Sequence, residues 1–257
     1  MTVSERPVAV PPVDEPAVGM VVQFGLLAAL AAGVGLGPAG WLLGSAYALT
    51  SWLLLNHALR RSGRYVLGPA NQVTLARATL VGGVAALVAD SFRGNTPIAV
   101  LVTLATVALA LDAVDGQVAR RTGSTSALGA RFDMEVDAFL ILVLSAFVAS
   151  SLGVWVLAIG ALRYVFVVAA WALPWLRAAL PPRFSRKTVA ALQGIMLVVA
   201  VSGVLPRPLA IAWVGLALIM LVWSFASDVA WLWRARPRPL RPETLDAPRQ
   251  ISASAQS

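Results

Sequence analysis

Four aspartates stand at Asp112, Asp115, Asp133 and Asp137, with Gly116, Ala119, Arg120 and Gly129 between them. The stretch reads Asp112-Ala-Val-Asp115-Gly116-Gln-Val-Ala119-Arg120; eight residues then precede Gly129, three separate it from Asp133, and three more separate Asp133 from Asp137. Glu135 adds a fifth acid, and long apolar runs flank the stretch on both sides. Ionisable groups at a membrane boundary are costly and need a reason to be there. Two carboxylates about 4 Å apart repel by roughly 4 kcal/mol at an effective dielectric of about 20. Four converging carboxylates therefore call for cations. Hard divalent ions such as Mg²⁺ take oxygen ligands and commonly bridge a substrate's phosphates. Cation, phosphate and membrane together point to lipid head-group chemistry.

The spacing places these groups on helices. Asp112 and Asp115 are i and i+3, and Asp133 and Asp137 are i and i+4, so each pair shares a helix face. The link from Thr122 to Gly129 is small and polar, suited to a turn between antiparallel helices. The two carboxylate pairs then face each other across one hairpin and could hold two metal ions, which clamp the attacking and leaving oxygens of a phosphoryl transfer. Gly116 and Gly129 remove side chains where a ligand or backbone must come close. Arg120 supplies a guanidinium within a turn or so of Asp115, placed to pair with a diphosphate. The plain alternative is a set of loop carboxylates that solvate the hairpin and pair with Arg120, Arg121 and Arg131.

The elements that must position this cluster are membrane spans. The 257 residues are 59% hydrophobic and 12% charged, with a mean hydropathy of +0.79. Soluble domains are about 45–50% apolar and about 25% charged. Eight apolar runs of spanning length lie at about 17–37, 40–58, 72–92, 96–114, 133–152, 154–175, 188–205 and 208–232. The expected fold is an all-α integral membrane protein of eight transmembrane helices. The absence of cysteine excludes disulfides and thiolate metal sites. The first 16 residues carry Arg6, three acids and four prolines, and lack a signal peptide's apolar core.

Sidedness follows from lysine and arginine. With the N-terminus in the cytoplasm and the spans alternating, 16 of the 20 basic residues fall on the cytoplasmic side. Only Arg93 and Arg207 fall outside, while Arg77 and Arg163 lie within spans. This bias predicts a multi-pass inner (cell) membrane protein with both termini and the aspartate cluster cytoplasmic. It also accounts for the net charge of +8 through topology and attraction to anionic lipid. No nucleic acid is expected as a partner, since no basic folded surface with a reading element is evident.

The pattern D-x₂-D-G-x₂-A-R-x₈-G-x₃-D-x₃-D resembles the signature of the CDP-alcohol phosphotransferase family at all eight fixed positions: Asp112, Asp115, Gly116, Ala119, Arg120, Gly129, Asp133 and Asp137. At residue frequencies of about 5–10% each, a chance match at one site is on the order of 10⁻⁹. Pro69-Ala-Asn71-Gln-Val-Thr74-Leu-Ala-Arg77 is similar to the opening of the family's first core helix, Pro-Asn-x-x-Thr-x-x-Arg, with one extra alanine after the proline. The resemblance implies a six-helix catalytic domain over 67–235. Before it would come a tail over 1–16 and two additional spans with a basic linker over 17–66; a flexible cytoplasmic tail would follow over 236–257.

The same resemblance implies Mg²⁺ or Mn²⁺, in two ions, held by Asp112, Asp115, Asp133 and Asp137, with Asp137 also the general base. It places Asn71, Thr74, Gly116, Ala119, Arg120 and Gly129 around the CDP moiety. The reaction it implies is transfer of a phosphatidyl or related phosphoryl group from a CDP-linked lipid such as CDP-diacylglycerol to an alcohol, releasing CMP, in phospholipid biosynthesis. Dimers are common among members, which makes a homodimer the expectation by analogy.

The acceptor is less legible. A phosphorylated polyol, glycerol 3-phosphate or inositol phosphate, would be met by cations, and Arg77, Arg163, Arg186 and Lys187 are the candidates. Lys187-Thr188-Val-Ala-Ala-Leu-Gln193 is similar to the Lys-Thr-x-x-Gln of glycerophosphate-using members, with the glutamine two residues late. Arg77, about five residues into an apolar run, reads as buried and facing the site, the alternative being that it snorkels to the interface. Arg163 has a second reading, pairing with an acid or a carbonyl within the bilayer. His57, the only histidine, reads as structural. The competing class is an intramembrane cation or proton transporter, which would place its acids nearer the middle of the bilayer.

Overall fold

The computed structural model describes residues 15–62, 69–94, 97–122, 127–177 and 184–234. Among these, eight α-helices and no strands are found: α1 (Glu15–Val34), α2 (Pro38–Ser62), α3 (Pro69–Ser91), α4 (Ile98–Thr122), α5 (Ala127–Leu152), α6 (Leu157–Ala172), α7 (Phe184–Val201) and α8 (Arg207–Arg234). Single 3₁₀ turns at Val154–Val156 and Pro174–Arg177 flank α6. Each helix falls on one of the eight apolar runs. The reason is that a chain in hydrocarbon must satisfy its backbone polar groups within the segment.

Five segments are long and apolar enough to cross a membrane: Pro16–Val34, Gln72–Ser91, Gly129–Leu152, Val154–Ala172 and Arg207–Arg234. The apolar parts of α4 (Ile98–Val114) and α7 (Thr188–Val201) are shorter, and α2 is not among the five. The sequence shows why. Ser45, Tyr47, Thr50, Ser51 and Asn56 dilute α2, the last turns of α4 carry Asp112, Asp115, Arg120 and Arg121, and α7 opens with Arg186 and Lys187. Both helices of the hairpin also outrun their apolar cores. α4 continues to Thr122 and α5 begins at Ala127, so the acids stand within helices rather than at their tips.

Helix ends follow local chemistry. Gly35 has φ +78°, and its amide donates to the Ala31 carbonyl at 3.1 Å, a left-handed termination that glycine allows without strain. Pro38 then opens α2, where its missing N–H costs nothing. The Gly37 amide just before it donates to Asp90 Oδ2 of α3 at 2.8 Å.

α3 is the centre of the bundle. It packs against α1, α2, α4 and α5; α5 in turn carries α6 and α7, and α8 packs on α7 and α6. Of α3's apolar window 67% is buried, against 22% for α1 and 17% for each of the last two spans, so α3 is the most enclosed of these helices. Val81, Val84, Ala85, Ala86, Leu101, Ala105, Ala108 and Leu144 are inaccessible. Outward positions remain large and apolar, among them Val21, Leu42, Val165, Val168, Ile219 and Trp223, as a lipid-facing surface requires.

Small residues set the closest approaches, as is usual where helices meet in membranes. A Cβ at Gly40 of α2 would lie 2.8 Å from the Ala86 carbonyl oxygen, and one at Gly82 of α3 would lie 2.5 Å from Gln23 Oε1 of α1. Tyr47 of α2 stacks on Phe139 of α5, with ring centroids 5.0 Å apart. Gly160 of α6 sits against α5, where a Cβ would fall 2.4 Å from Leu142 Cα. That neighbour is backbone and has no rotamer to yield. We therefore expect Gly160→Ala to cost about 1–3 kcal/mol of stability, the usual range for overpacking. Gly25→Ala, at a position with open space around it, serves as the neutral control. Equal thermal unfolding of the two variants in detergent would contradict this packing.

Candidate active site

Three of the four predicted ligand aspartates meet. Asp112 arrives from α4, and Asp133 and Asp137 arrive from successive turns of α5. One carboxylate oxygen from each lies within 4.8 Å of the others. At their centre is Arg77 of α3. Its Nη1 donates to Asp112 Oδ1 and its Nη2 donates to Asp133 Oδ1. Nη2 also lies 3.3 Å from Asp137 Oδ1 and 3.4 Å from the Asp133 carbonyl oxygen. One guanidinium thus joins three helices.

Exposure within the cluster is uneven, and this decides what it can do. The Arg77 side chain is 1% exposed, while those of Asp112, Asp133 and Asp137 are 40%, 33% and 42% exposed. The carboxylates open outward with the arginine behind them. Three carboxyl groups thus face one guanidinium. Among the described residues Arg77 Nε has no hydrogen-bond partner, an omission that typically costs about 1–3 kcal/mol.

The arrangement fits a divalent cation. All three donors are hard carboxylate oxygens, the ligand type Mg²⁺ and Mn²⁺ take. Their oxygens lie within 4.8 Å of one another, close enough to converge on one ion whose ligands stand about 2.0–2.1 Å from it. Asp112, Asp133 and Asp137 would hold such an ion.

The other predicted residues fall into two groups. Thr74 is buried on α3, three residues before Arg77, and Gly129 is buried in the first turn of α5. Asp115, Gly116, Ala119 and Arg120 lie on the last two turns of α4, Asn71 on the first turn of α3, and Arg186 and Lys187 on the first turn of α7; their side chains lie outside the described residues. The turn expected to join the carboxylate pairs, over 123–126, lies outside them too.

Arg163 takes the second of its two sequence readings. Its Nη2 donates to Glu135 Oε1 at 2.6 Å, which ties α6 to α5. Glu135 stands two residues from each of Asp133 and Asp137 on α5. Gln193 is buried and donates through Nε2 to the Ala217 carbonyl of α8 at 2.6 Å, a link from α7 to α8. His57 is exposed near the end of α2. The charge of Arg77 inside an apolar run pointed to a buried role facing the site, and the structure buries it there; that its partners are Asp112, Asp133 and Asp137, and that Glu135 partners Arg163, was not legible in the sequence.

The profile of the CDP-alcohol phosphatidyltransferase family matches residues 68–229, and the chain belongs to this family. No curated protein and no solved structure matched the chain. The matched segment begins one residue before α3 and ends within α8, so α1 and α2 lie outside it. Members are transferases that move a phosphate-linked alcohol group from a CDP-alcohol, and metal dependence is general among them. The several long apolar helices are those of a multi-pass membrane protein.

Proposed function

We propose that this protein transfers a phosphatidyl or related phosphoryl-alcohol group from a CDP-linked lipid, such as CDP-diacylglycerol, to an alcohol acceptor and releases CMP. The observation that carries the reading is the convergence of Asp112, Asp133 and Asp137 from two helices, open on one side, within a chain of this family. A cation or proton pathway would not need a family core built around nucleotide-linked donors, which favours the transferase.

The roles follow from the chemistry. Asp112, Asp115, Asp133 and Asp137 hold the divalent ions, Mg²⁺ or Mn²⁺ and two in number. When bound, these ions neutralise the diphosphate and stabilise the departing phosphate. Asn71, Thr74, Gly116, Ala119, Arg120 and Gly129 line the CDP moiety, with Arg120 pairing a phosphate oxygen. The acceptor hydroxyl oxygen forms a bond to the lipid-bearing phosphorus, and the bond from that phosphorus to the CMP oxygen breaks. Asp137 takes the hydroxyl proton as attack proceeds. A donor of this kind keeps its acyl chains in lipid, so the site belongs at a rim of the bundle that both lipid and water-soluble acceptors reach.

The acceptor reading is a phosphorylated polyol, glycerol 3-phosphate or inositol phosphate. Arg77, Arg163, Arg186 and Lys187 are the cations that would meet its phosphate, Arg163 being held by Glu135. In the bilayer all eight helices cross, with α3 to α8 as the catalytic core over 67–235, α1 and α2 as the added pair over 17–66, and both tails and the site cytoplasmic. A homodimer remains the assembly expected by analogy.

Two outcomes are expected. Asp137→Asn abolishes Mg²⁺-dependent CMP release from CDP-diacylglycerol in detergent while largely keeping donor binding, whereas Asp112→Asn or Asp133→Asn weakens metal and donor together. Full activity in purified Asp137→Asn protein would remove this residue from the base role. Glu135→Gln loosens Arg163 and is expected to raise the KM for a phosphorylated acceptor several-fold, with the donor KM unchanged. Parallel changes in both KM values would point to a general disturbance of α5 instead.

A further inference from the structure

A guanidinium occupies the carboxylate set that would hold a divalent ion. Arg77 is bonded through Nη1 and Nη2 to Asp112 and Asp133, and Nη2 lies 3.3 Å from Asp137. These are the three residues whose oxygens converge within 4.8 Å. A metal ion and this arginine therefore draw on the same lone pairs, and two cations at such range repel strongly in a poorly solvated site. Arg77 is also incompletely satisfied where it stands. Among the described residues its Nε–H finds no partner, and the side chain is 1% exposed. Arginine's fork suits two oxygens of one carboxylate or phosphate; here it is spread over single oxygens of separate aspartates.

We propose that Arg77 is the resident counter-cation of the metal-free site, and that a divalent cation binds by exchange with it. Before loading, the guanidinium holds α4 and α5 together by neutralising part of their charge. On loading, the ion takes the carboxylate oxygens and Arg77 gives up its contacts to them. Its donors are then left for an anionic oxygen of a phosphate-bearing ligand. The metal affinity of the empty protein is accordingly set by competition with this side chain. The inference rests on the reading of the triad as a divalent-cation site.

The test uses the full chain in detergent, stripped of metal, with Mn²⁺ alone as the probe and its Kd read from the electron paramagnetic resonance signal of the free ion. Arg77→Gln removes the competing charge. Arg77→Lys keeps a charge but cannot span three carboxylates. Removing a unit charge in contact with the ligands is expected to tighten Mn²⁺ binding on the order of tenfold or more in Arg77→Gln, with Arg77→Lys intermediate. The metal-free Arg77→Gln protein is expected to melt below metal-free wild type and to gain more from Mn²⁺. A merely structural arginine predicts the opposite sign, since a disordered triad binds metal more weakly. If Arg77→Gln folds only when purified with Mn²⁺, chelator competition on that protein gives the same comparison. An unchanged or weaker Kd in both variants, with wild type binding Mn²⁺, overturns the exchange and leaves the metal site standing. Failure of wild type to bind Mn²⁺ overturns the metal reading and the exchange with it.

Discussion

A charged side chain buried among helices has to be neutralised where it lies, and at Arg77 that requirement joins three elements at one point. Breaking such a pair leaves an uncompensated charge in a poorly solvated interior, at a cost well above that of a surface ion pair. α3 must therefore present the arginine at the depth where α4 and α5 present their acids. The partners come from positions 35 and 56 residues away in sequence. They meet because Asp112 lies toward the end of α4 and Asp133 toward the start of α5, and both helices pack against α3. The same constraint makes the acids useful, since the arginine seals the inner side of the cluster and leaves the carboxylates half-open on the other.

Much of this was legible in the residues. The eight helices sit on eight apolar runs, because hydrophobic length is a property of contiguous sequence and needs no tertiary information. The pairs Asp112 with Asp115 and Asp133 with Asp137 announce themselves by helical spacing, and their match to one family's signature extends to the profile over 68–229. What stayed hidden depended on contacts between distant segments. Nothing local to Arg77 says that its partners are Asp112 and Asp133, and nothing local to Arg163 selects Glu135. Gln193 illustrates the converse: a suggestive sequence neighbour of Lys187 and Thr188 that is committed to the Ala217 carbonyl instead. Polar dilution in α2 and the charges at the cluster-side ends of α4 and α7 explain why five segments, rather than eight, satisfy length and hydropathy outright.

Electrostatics and packing divide the labour in this bundle. The charged cluster occupies one end of α3, while the rest of that helix is lined with Ala78, Val81, Val84, Ala85 and Ala86 and approached closely by its neighbours. A helix shielded on nearly all sides has little freedom to tilt, so its arginine is presented from a rigid support. α5 is similarly braced, by Tyr47 on one side and by α6 at Gly160 on another.

The contact between α3 and the two helices that precede the family segment bears on where the chain can be divided. A Cβ at Gly40 would meet the Ala86 carbonyl oxygen, which has no rotamer to yield, and one at Gly82 would have to displace the Gln23 amide. A flank so recessed is poorly shaped for loose acyl chains, which cannot fill its notches as a fitted helix does. A fragment opening near residue 68, where the family match begins, would lay that flank bare along α3, the helix that carries Arg77.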